Sequence, residues 1–424
     1  MSTDQQQDQP ALYLHAELLP NIRHITLHIS FATAAQPADI RPEICLSDSC
    51  RAITVSLPPL YDNGTETIKL PARVNEASQR MLNMAVQRNG NATYQGGRQR
   101  EYSFRMQVDD ARDALLSREE HFDSFVPWTA TEMASYTRLC CRHCKNVILR
   151  APMSSDTGDA REEPRGWEWK DLPSGNWAEM MDFWHCHKPD PRQDDDHNAD
   201  ASAARFHEDQ NDTVKGYGAA NQVIATPGTV LVDVATFLVA YADCNGLKQV
   251  GQKILGDSTD GRMVLRCEQC NSLLGIEDTV SKGYKLFKTS VSASKQMPKD
   301  QSEDPWESHP LETVVAAQLL ELIERESARR FIIHCGQKDG LMLWVFNPDL
   351  RYSNASSDHS ITAQRAMKIL FQDSVNVDEM LHPESGKASS LSLEELRLPV
   401  DTYDAILQEN FENGRLALCI GMNA

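Results

Sequence analysis

The chain has 424 residues, 41% hydrophobic and 24% charged, which fits a globular protein of two or three domains with a sizeable core. Its formal net charge of −19 argues against nucleic acid or an anionic membrane surface as partner and for a protein with a basic face. The polar opening MSTDQQQDQP lacks the basic and apolar regions of a secretory signal, and the longest apolar stretch, GTVLVDVATFLVAYADC, is interrupted by Asp233 and too short for a bilayer, so the eleven cysteines are expected in a reducing cytoplasmic and/or nuclear setting.

Residues 11–130 read as a β-rich N-terminal domain. LYLHAELL, RHITLHISF, CRAITVSL, ETIKLPARV and EYSFRMQV alternate apolar and polar residues, with turn formers between them, and predict an antiparallel sandwich or open barrel. Asn63-Gly64 reads as a tight turn. Residues 131–290 form a second module that holds two Cys-x-x-Cys units. SSDTGDAREEP, from Ser154, and the acidic loop 189–213 have too few apolar residues to bury. The loop carries eight acids and two bases and reads as solvated, with a docking strip for a basic partner as the alternative.

Residues 291–310 (VSASKQMPKDQSEDPWESHP) read as a linker, and 311–424 as an α+β C-terminal domain. Leu311, Val315, Leu319 and Leu322 predict an amphipathic helix to about Ser327. FIIHC and LMLWVF flank GQKDG as a hairpin. Ala363, Ala366, Met367, Leu370 and Phe371 fall at helical spacing and predict a second helix. Asp401 is the expected N-cap of a third, carrying Tyr403, Ile406, Leu407 and Phe411, before a terminal strand RLALCIG. The fold class is therefore α+β.

CCRHCKNVIL (140–149) and CEQCNSLLG (267–275) share one pattern: two cysteines around two spacers, a polar pair, then an apolar pair. Four thiolates are the common ligand set of a structural zinc, and each Cys-x-x-Cys supplies two from one turn. Cys141, Cys144, Cys267 and Cys270 are the expected ligands. The 122 residues between Cys144 and Cys267 are no obstacle. Loop closure grows only logarithmically and costs about 1 kcal/mol more than for a loop a third as long, against on the order of 10 kcal/mol from the metal. Cys186 and His187 in MDFWHCHKPD are alternative partners for Cys141 and Cys144, but that choice leaves Cys267 and Cys270 unexplained. A redox role suits neither pair, because neither sits at a strand-to-helix turn. A site closed by four protein ligands leaves no position for water, so the metal argues for architecture rather than chemistry. Neither a zinc-protease helix nor a P-loop, dinucleotide fingerprint or nucleophile elbow is present.

NWAEMMDFWHCHKPD (Asn176–Asp190), preceded by CRHC and followed by RCEQCNSLLG, resembles the HECT-like ubiquitin ligase family, also called ubiquitin-conjugating-enzyme-binding proteins. The order of motifs matches along most of the chain, and the paired Cys-x-x-Cys units are similar to zinc modules of the β-tent type, in which two turns pinch two sheets together. The resemblance implies that 311–424 is HECT-like. It also implies binding of a ubiquitin-conjugating enzyme and transfer of ubiquitin to a substrate, with mitotic cyclin proposed as one. It further implies a link to the endonuclease of mRNA 3′-end processing, for which the chain would be a non-catalytic binding factor or chaperone.

A ligase of the HECT type needs a thiolate to carry the thioester. The C-terminal region offers Cys335 and Cys419, both in apolar strand contexts that bury a thiol and raise its pKa, and Asp401-Thr402-Tyr403 stands where a Thr-Cys is expected. His334 adjoins Cys335, but neighbouring strand residues point to opposite faces. Trp167, Trp169, Trp177 and Trp184 crowd into 18 residues, and Trp177, Met181 and Trp184 fall on one helical face that serves either a core or a partner groove.

Overall fold

The computed structural model describes residues 12–32, 42–57, 64–87, 93–95, 99–109, 126–150, 166–172, 223–251, 263–296, 305–355, 364–382 and 393–408. The first elements are β1 (Leu12–Leu19), β2 (His24–Ala32), β3 (Glu43–Leu46), β4 (Ala52–Ser56), β5 (Thr65–Lys69), α1 (Ala77–Gln87), β6 (Thr93–Gln95) and β7 (Gln99–Gln107). The middle carries β8 (Arg138–Cys141), β9 (Val147–Leu149), β10 (Glu168–Asp171), β11 (Thr229–Val232), β12 (Thr236–Ala240), β13 (Leu247–Gly251), β14 (Met263–Cys267), β15 (Leu273–Asp278), β16 (Gly283–Phe287) and β17 (Val291–Ser294). The last are α2 (Leu311–Glu326), β18 (Arg330–His334), β19 (Asp339–Asn354), β20 (Gln364–Asn376), α3 (Val377–Leu381), β21 (Leu393–Arg397) and α4 (Val400–Ile406). The class is α+β, mostly sheet, and no sheet among the described residues closes into a barrel. Among the described residues no helix is long and apolar enough to cross a membrane.

The chain divides into two compact units. One gathers the described residues of Met1–Asp123 and Leu343–Phe371; the other gathers those of Ser124–Met342 and Gln372–Glu412. In the first unit the alternation of LYLHAELL sends Leu12, Leu14 and Ala16 inward, and Ile25, Leu27 and Ile29 of β2 do the same. β1 pairs antiparallel with β2, and β2 with β7. A second sheet, β3-β4-β5, adds Ile44, Ile53, Val55 and Ile68 to the same core, so the two sheets form a sandwich. The helix α1, which the strand-like sequence around it hid, lends Leu82 to that core. On its other edge β1 pairs with β19, Leu18 opposite Arg351 and His15 opposite Asn354.

Three expectations are corrected. Residues 364–376 form the strand β20 rather than a helix. Met367 and Ile369 are buried while Leu370 is 47% exposed, so alternation rather than helical spacing decides. Val291–Ser294, read as the start of a linker, is the fully buried strand β17, whose small side chains let it pack beside β8. Pro399, not Asp401, is the N-cap of α4, and Asp401 lies in the first turn, where an acid suits the helix dipole. The expected hairpin around GQKDG is present as β18 and the start of β19.

In the second unit a seven-stranded sheet runs β10-β11-β12-β16-β15-β14-β13, and a three-stranded sheet runs β17-β8-β9. Leu139, Ile148 and Leu149 of the small sheet and Val230, Phe237, Val239, Leu265, Leu274 and Leu286 of the large one share a core with the fully buried Trp128. Helix α2 buries Val314, Val315, Leu319 and Leu322, as its spacing predicts.

Candidate metal centre

Each Cys-x-x-Cys unit is the turn between two antiparallel strands, one in each sheet of the second unit. In the small sheet β8 ends on Cys141, the chain turns through Cys144, and β9 leaves at Val147. In the large sheet β14 ends on Cys267, the chain turns through Cys270, and β15 leaves at Leu273. The two turns are built alike. The Lys145 N–H donates to the Cys141 carbonyl at 2.9 Å, and the Asn271 N–H to the Cys267 carbonyl at 3.0 Å. The Cys141 and Cys267 N–H groups donate to the Asn146 and Ser272 carbonyls, at 2.8 and 2.9 Å. Lys145 (φ 62°) and Asn271 (φ 65°) both take the left-handed conformation that closes such a turn.

These turns face each other. Cys141 Sγ lies 3.6 Å from Cys270 Sγ, and Cys144 Sγ lies 3.5 Å from Cys267 Sγ. All four sulfurs lie within 4.8 Å of one another. A tetrahedral ion with bonds of about 2.3 Å would space its sulfurs about 3.8 Å apart. The donor set and its spacing therefore fit a metal ion bound by four thiolates. Asn146 Nδ2 donates toward Cys267 Sγ at 3.6 Å and to the Gly246 carbonyl at 3.2 Å. Gly246, at φ +64°, admits this approach, since a Cβ there would sit 2.4 Å from Asn146 Nδ2. Ser272 Oγ lies 3.2 Å from Cys270 Sγ. The polar pair after each second cysteine thus has two roles: its first residue closes the turn and its second turns a hydrogen-bonding group on a sulfur. The repeat of that pair was visible in the sequence; the roles were not.

Burial pushes the Cys141 thiol up to about 12 and also raises Cys144. At Cys270 burial acts upward too, but the Ser272 hydroxyl and N–H and the thiols of Cys144 and Cys141 outweigh it and bring the group down to about 6. Four crowded thiols thus share their protons unequally, and a bound cation would displace them.

Three other described thiols, Cys140, Cys244 and Cys335, are poorly placed for chemistry, whereas Cys45 is exposed on β3. Burial raises Cys140 to about 11 and Cys244 to about 12, and it raises Cys335 as well. Cys335 is 8% exposed. The neighbouring His334 has both ring nitrogens engaged elsewhere: Nδ1 accepts from the Gly336 N–H at 3.2 Å, and Nε2 donates to Glu395 Oε1 at 2.7 Å. It is no base for Cys335. Trp167 is buried in the core around Phe237, and Trp169, whose Nε1 donates to the Ala134 carbonyl, packs against that core. Trp177, Met181, Trp184, Cys186, His187 and Cys419 lie outside the described residues, as do Asn63, Ala363, Phe411, the strand RLALCIG, the SSDTGDAREEP stretch and the acidic loop 189–213.

The family model described as HECT-like ubiquitin-conjugating enzyme (E2)-binding matches residues 17–413. The chain belongs to this family. Two fungal relatives are similar to it, both uncharacterized proteins. YJR141W of Saccharomyces cerevisiae is 25% identical over 250 residues, covering 58% of this chain and 57% of the relative. C1734.10c of Schizosaccharomyces pombe is 24% identical over 241 residues, covering 55% of this chain and 56% of the relative. The chain therefore spans a little over half the length of the curated relatives it matches. No solved structure matches it. The metal centre is the best-built site among the chain's described residues.

Proposed function

We propose that the chain binds a ubiquitin-conjugating enzyme and promotes ubiquitin transfer to a protein substrate by holding the loaded enzyme in a reactive pose, with a zinc at Cys141, Cys144, Cys267 and Cys270 keeping the two sheets of its second unit together. The family match carries the partner. Among the described residues Cys335 is the one thiol of the C-terminal region, and its burial and raised pKa favour positioning over a thioester there, since an acceptor thiol needs exposure and a lowered pKa.

A surface for that partner is offered by Trp344 and Phe346, 40% and 53% exposed, with ring centroids 4.3 Å apart on β19. Leu370 on the paired strand β20 adds to it. At these exposures the three side chains present about 300 Å², well short of the roughly 800 Å² per partner of a stable dimer. That size suits an enzyme that docks, discharges and leaves, rather than a second copy of this chain.

The test is discharge of a ubiquitin-charged conjugating enzyme, followed on non-reducing gels with wild type, Cys419→Ala and the Trp344→Ser, Phe346→Ser double variant. Discharge that persists in Cys419→Ala and falls in the double variant supports the proposal. A DTT-sensitive ubiquitin adduct that disappears in Cys419→Ala would overturn the positioning mechanism in favour of a thioester. No adduct and no discharge would favour the second reading, a non-catalytic binding factor for the mRNA 3′-end-processing endonuclease. A mitotic cyclin as substrate rests on the resemblance alone.

A further inference from the structure

The two metal-site turns are alike in backbone but not in what they carry. At the position after the first cysteine stand Arg142 on one and Glu268 on the other. Both backbone N–H groups reach a neighbouring segment, Arg142 to the Ser290 carbonyl and Glu268 to the Gly246 carbonyl, each at 3.0 Å. Only the arginine extends the link with its side chain. Arg142 Nη1 donates to the His309 carbonyl at 2.9 Å and approaches the Thr289 carbonyl at 3.4 Å. Glu268 is exposed.

Those two carbonyls belong to segments that seat the helices. His309 precedes α2 by two residues. Thr289 lies in the short 3₁₀ turn Lys288–Ser290, on which α2 packs, and its hydroxyl is hydrogen-bonded to that of Thr402 in α4 at 3.2 Å. The strap before α2 is laid along β17: Ala293 and Glu307 exchange backbone hydrogen bonds, and the Ser292 and Ser308 hydroxyls meet at 2.6 Å. The same turn contributes Lys145 Nζ to Ser292 Oγ at 3.2 Å. One metal-site turn therefore holds the strap, the 3₁₀ turn and, through them, α2 and α4.

We infer that metal binding at the four cysteines and the seating of α2 and α4 are one coupled event, with Arg142 as the positioning residue that transmits it. A bound ion fixes the backbone of the 141–144 turn, and that fixes where the guanidinium is presented. Without the ion the turn loosens, and a charged donor shared between two carbonyls loses its geometry. The inference does not depend on any partner. It predicts that residues 305–326 answer to a metal that they do not touch.

Hydrogen exchange read by mass spectrometry on the full chain tests it, with zinc content measured alongside. Arg142→Ala should keep one zinc per chain while amides of 305–310 and α2 exchange at least about tenfold faster, the factor that loss of one charge-assisted hydrogen bond implies. Glu268→Ala should leave them unchanged. Zinc removal with a chelator should speed α2 exchange in wild type, and Arg142→Ala should add almost nothing in the stripped protein, because both act through one link. If Arg142→Ala fails to fold, Arg142→Lys, which keeps the charge but ends in a compact ammonium on a more flexible stem, should show the same pattern at smaller amplitude. Exchange of α2 within about twofold of wild type in zinc-loaded Arg142→Ala overturns the inference. So do equal effects of Arg142→Ala and Glu268→Ala, or effects of zinc removal and Arg142→Ala that simply add.

Discussion

Replacing Cys267 and Cys270 together by serine removes half of the proposed ligand set and tests the metal centre most directly. Cys267 is fully buried, and the four sulfurs sit within 4.8 Å of one another. Serine hydroxyls do not replace thiolates for zinc, so the two remaining sulfurs, Cys141 and Cys144, are left with an incomplete site. A four-thiolate zinc contributes on the order of 10 kcal/mol to the folded state, less whatever affinity the unfolded cysteines retain for the ion. A hydroxyl buried without a partner costs about 1–3 kcal/mol more. The sum rivals the whole stability of a domain, roughly 5–15 kcal/mol. Even a net loss of about 5 kcal/mol lowers a midpoint by roughly 10–20 °C in a unit of this size. Zinc content by elemental analysis and thermal unfolding followed by tryptophan emission are the measurements. Trp128, fully buried in the shared core, reports the second unit. The expected result is no stoichiometric zinc and an early, red-shifted transition. One equivalent of zinc with an unchanged midpoint would refute the reasoning and point to Cys186 and His187.

Three further outcomes are expected. At Glu17 burial acts to raise the carboxyl, but the His15 ring at 3.0 Å and Lys368 Nζ at 2.7 Å prevail and hold it at about 2, against 4.5 ordinarily. The folded value lies below the unfolded one, so this stability, about 3 kcal/mol at most, is complete above pH 4.5 and drains away as pH falls toward 2. Glu17→Gln should flatten that acid limb in denaturant titrations, and an unchanged limb would count against the pairing. Lys288 is fully buried, donating to the Pro127 carbonyl at 2.7 Å, and burial lowers it to about 8 despite Asp233, Asp171 and Glu132. The unfolded lysine then binds the proton more tightly, so wild-type stability should rise between pH 8 and 10.5, a slope that Lys288→Met should abolish. Deleting Asp190–Asp212 should shift the melting midpoint by less than about 5 °C, since the sequence there has little apolar area to bury, and a larger fall would show that it packs.

What the sequence revealed depended on how local the determining physics is. The two Cys-x-x-Cys turns were legible because a turn of that kind is specified by its own few residues. Their pairing was inferred from the shared flanking pattern. The strands of the first unit were legible from alternation in LYLHAELL and EYSFRMQV. β20 was misread because Ala366, Met367, Leu370 and Phe371 satisfy a helical spacing as well as a strand can, and only its pairing with β19 decides between them. β17 was misread because Ser292 and Ser294 look like linker residues, whereas in the fold both are fully buried beside β8. Arg142 gave no signal at all, since its partners are backbone carbonyls about 150 residues away. A carbonyl has no identity in a sequence.

The pairing of β1 with β19 has a consequence for how the protein is made. The edge of β1 that receives Arg351–Asn354 is synthesised more than 300 residues before its partner. At about 5–20 residues per second, a ribosome delivers that partner roughly 15–70 s later. During that interval Leu12–Leu19 has β2 on one side and an open ladder on the other, a template for association with other chains. The residues from Ser124 to Met342 emerge in the meantime and make up most of the second unit, so its core can form first. The first unit closes only once the chain has returned to it. A nascent chain stalled before residue 351 should therefore recruit chaperones to β1 and β2, although those strands leave the ribosome long before β19.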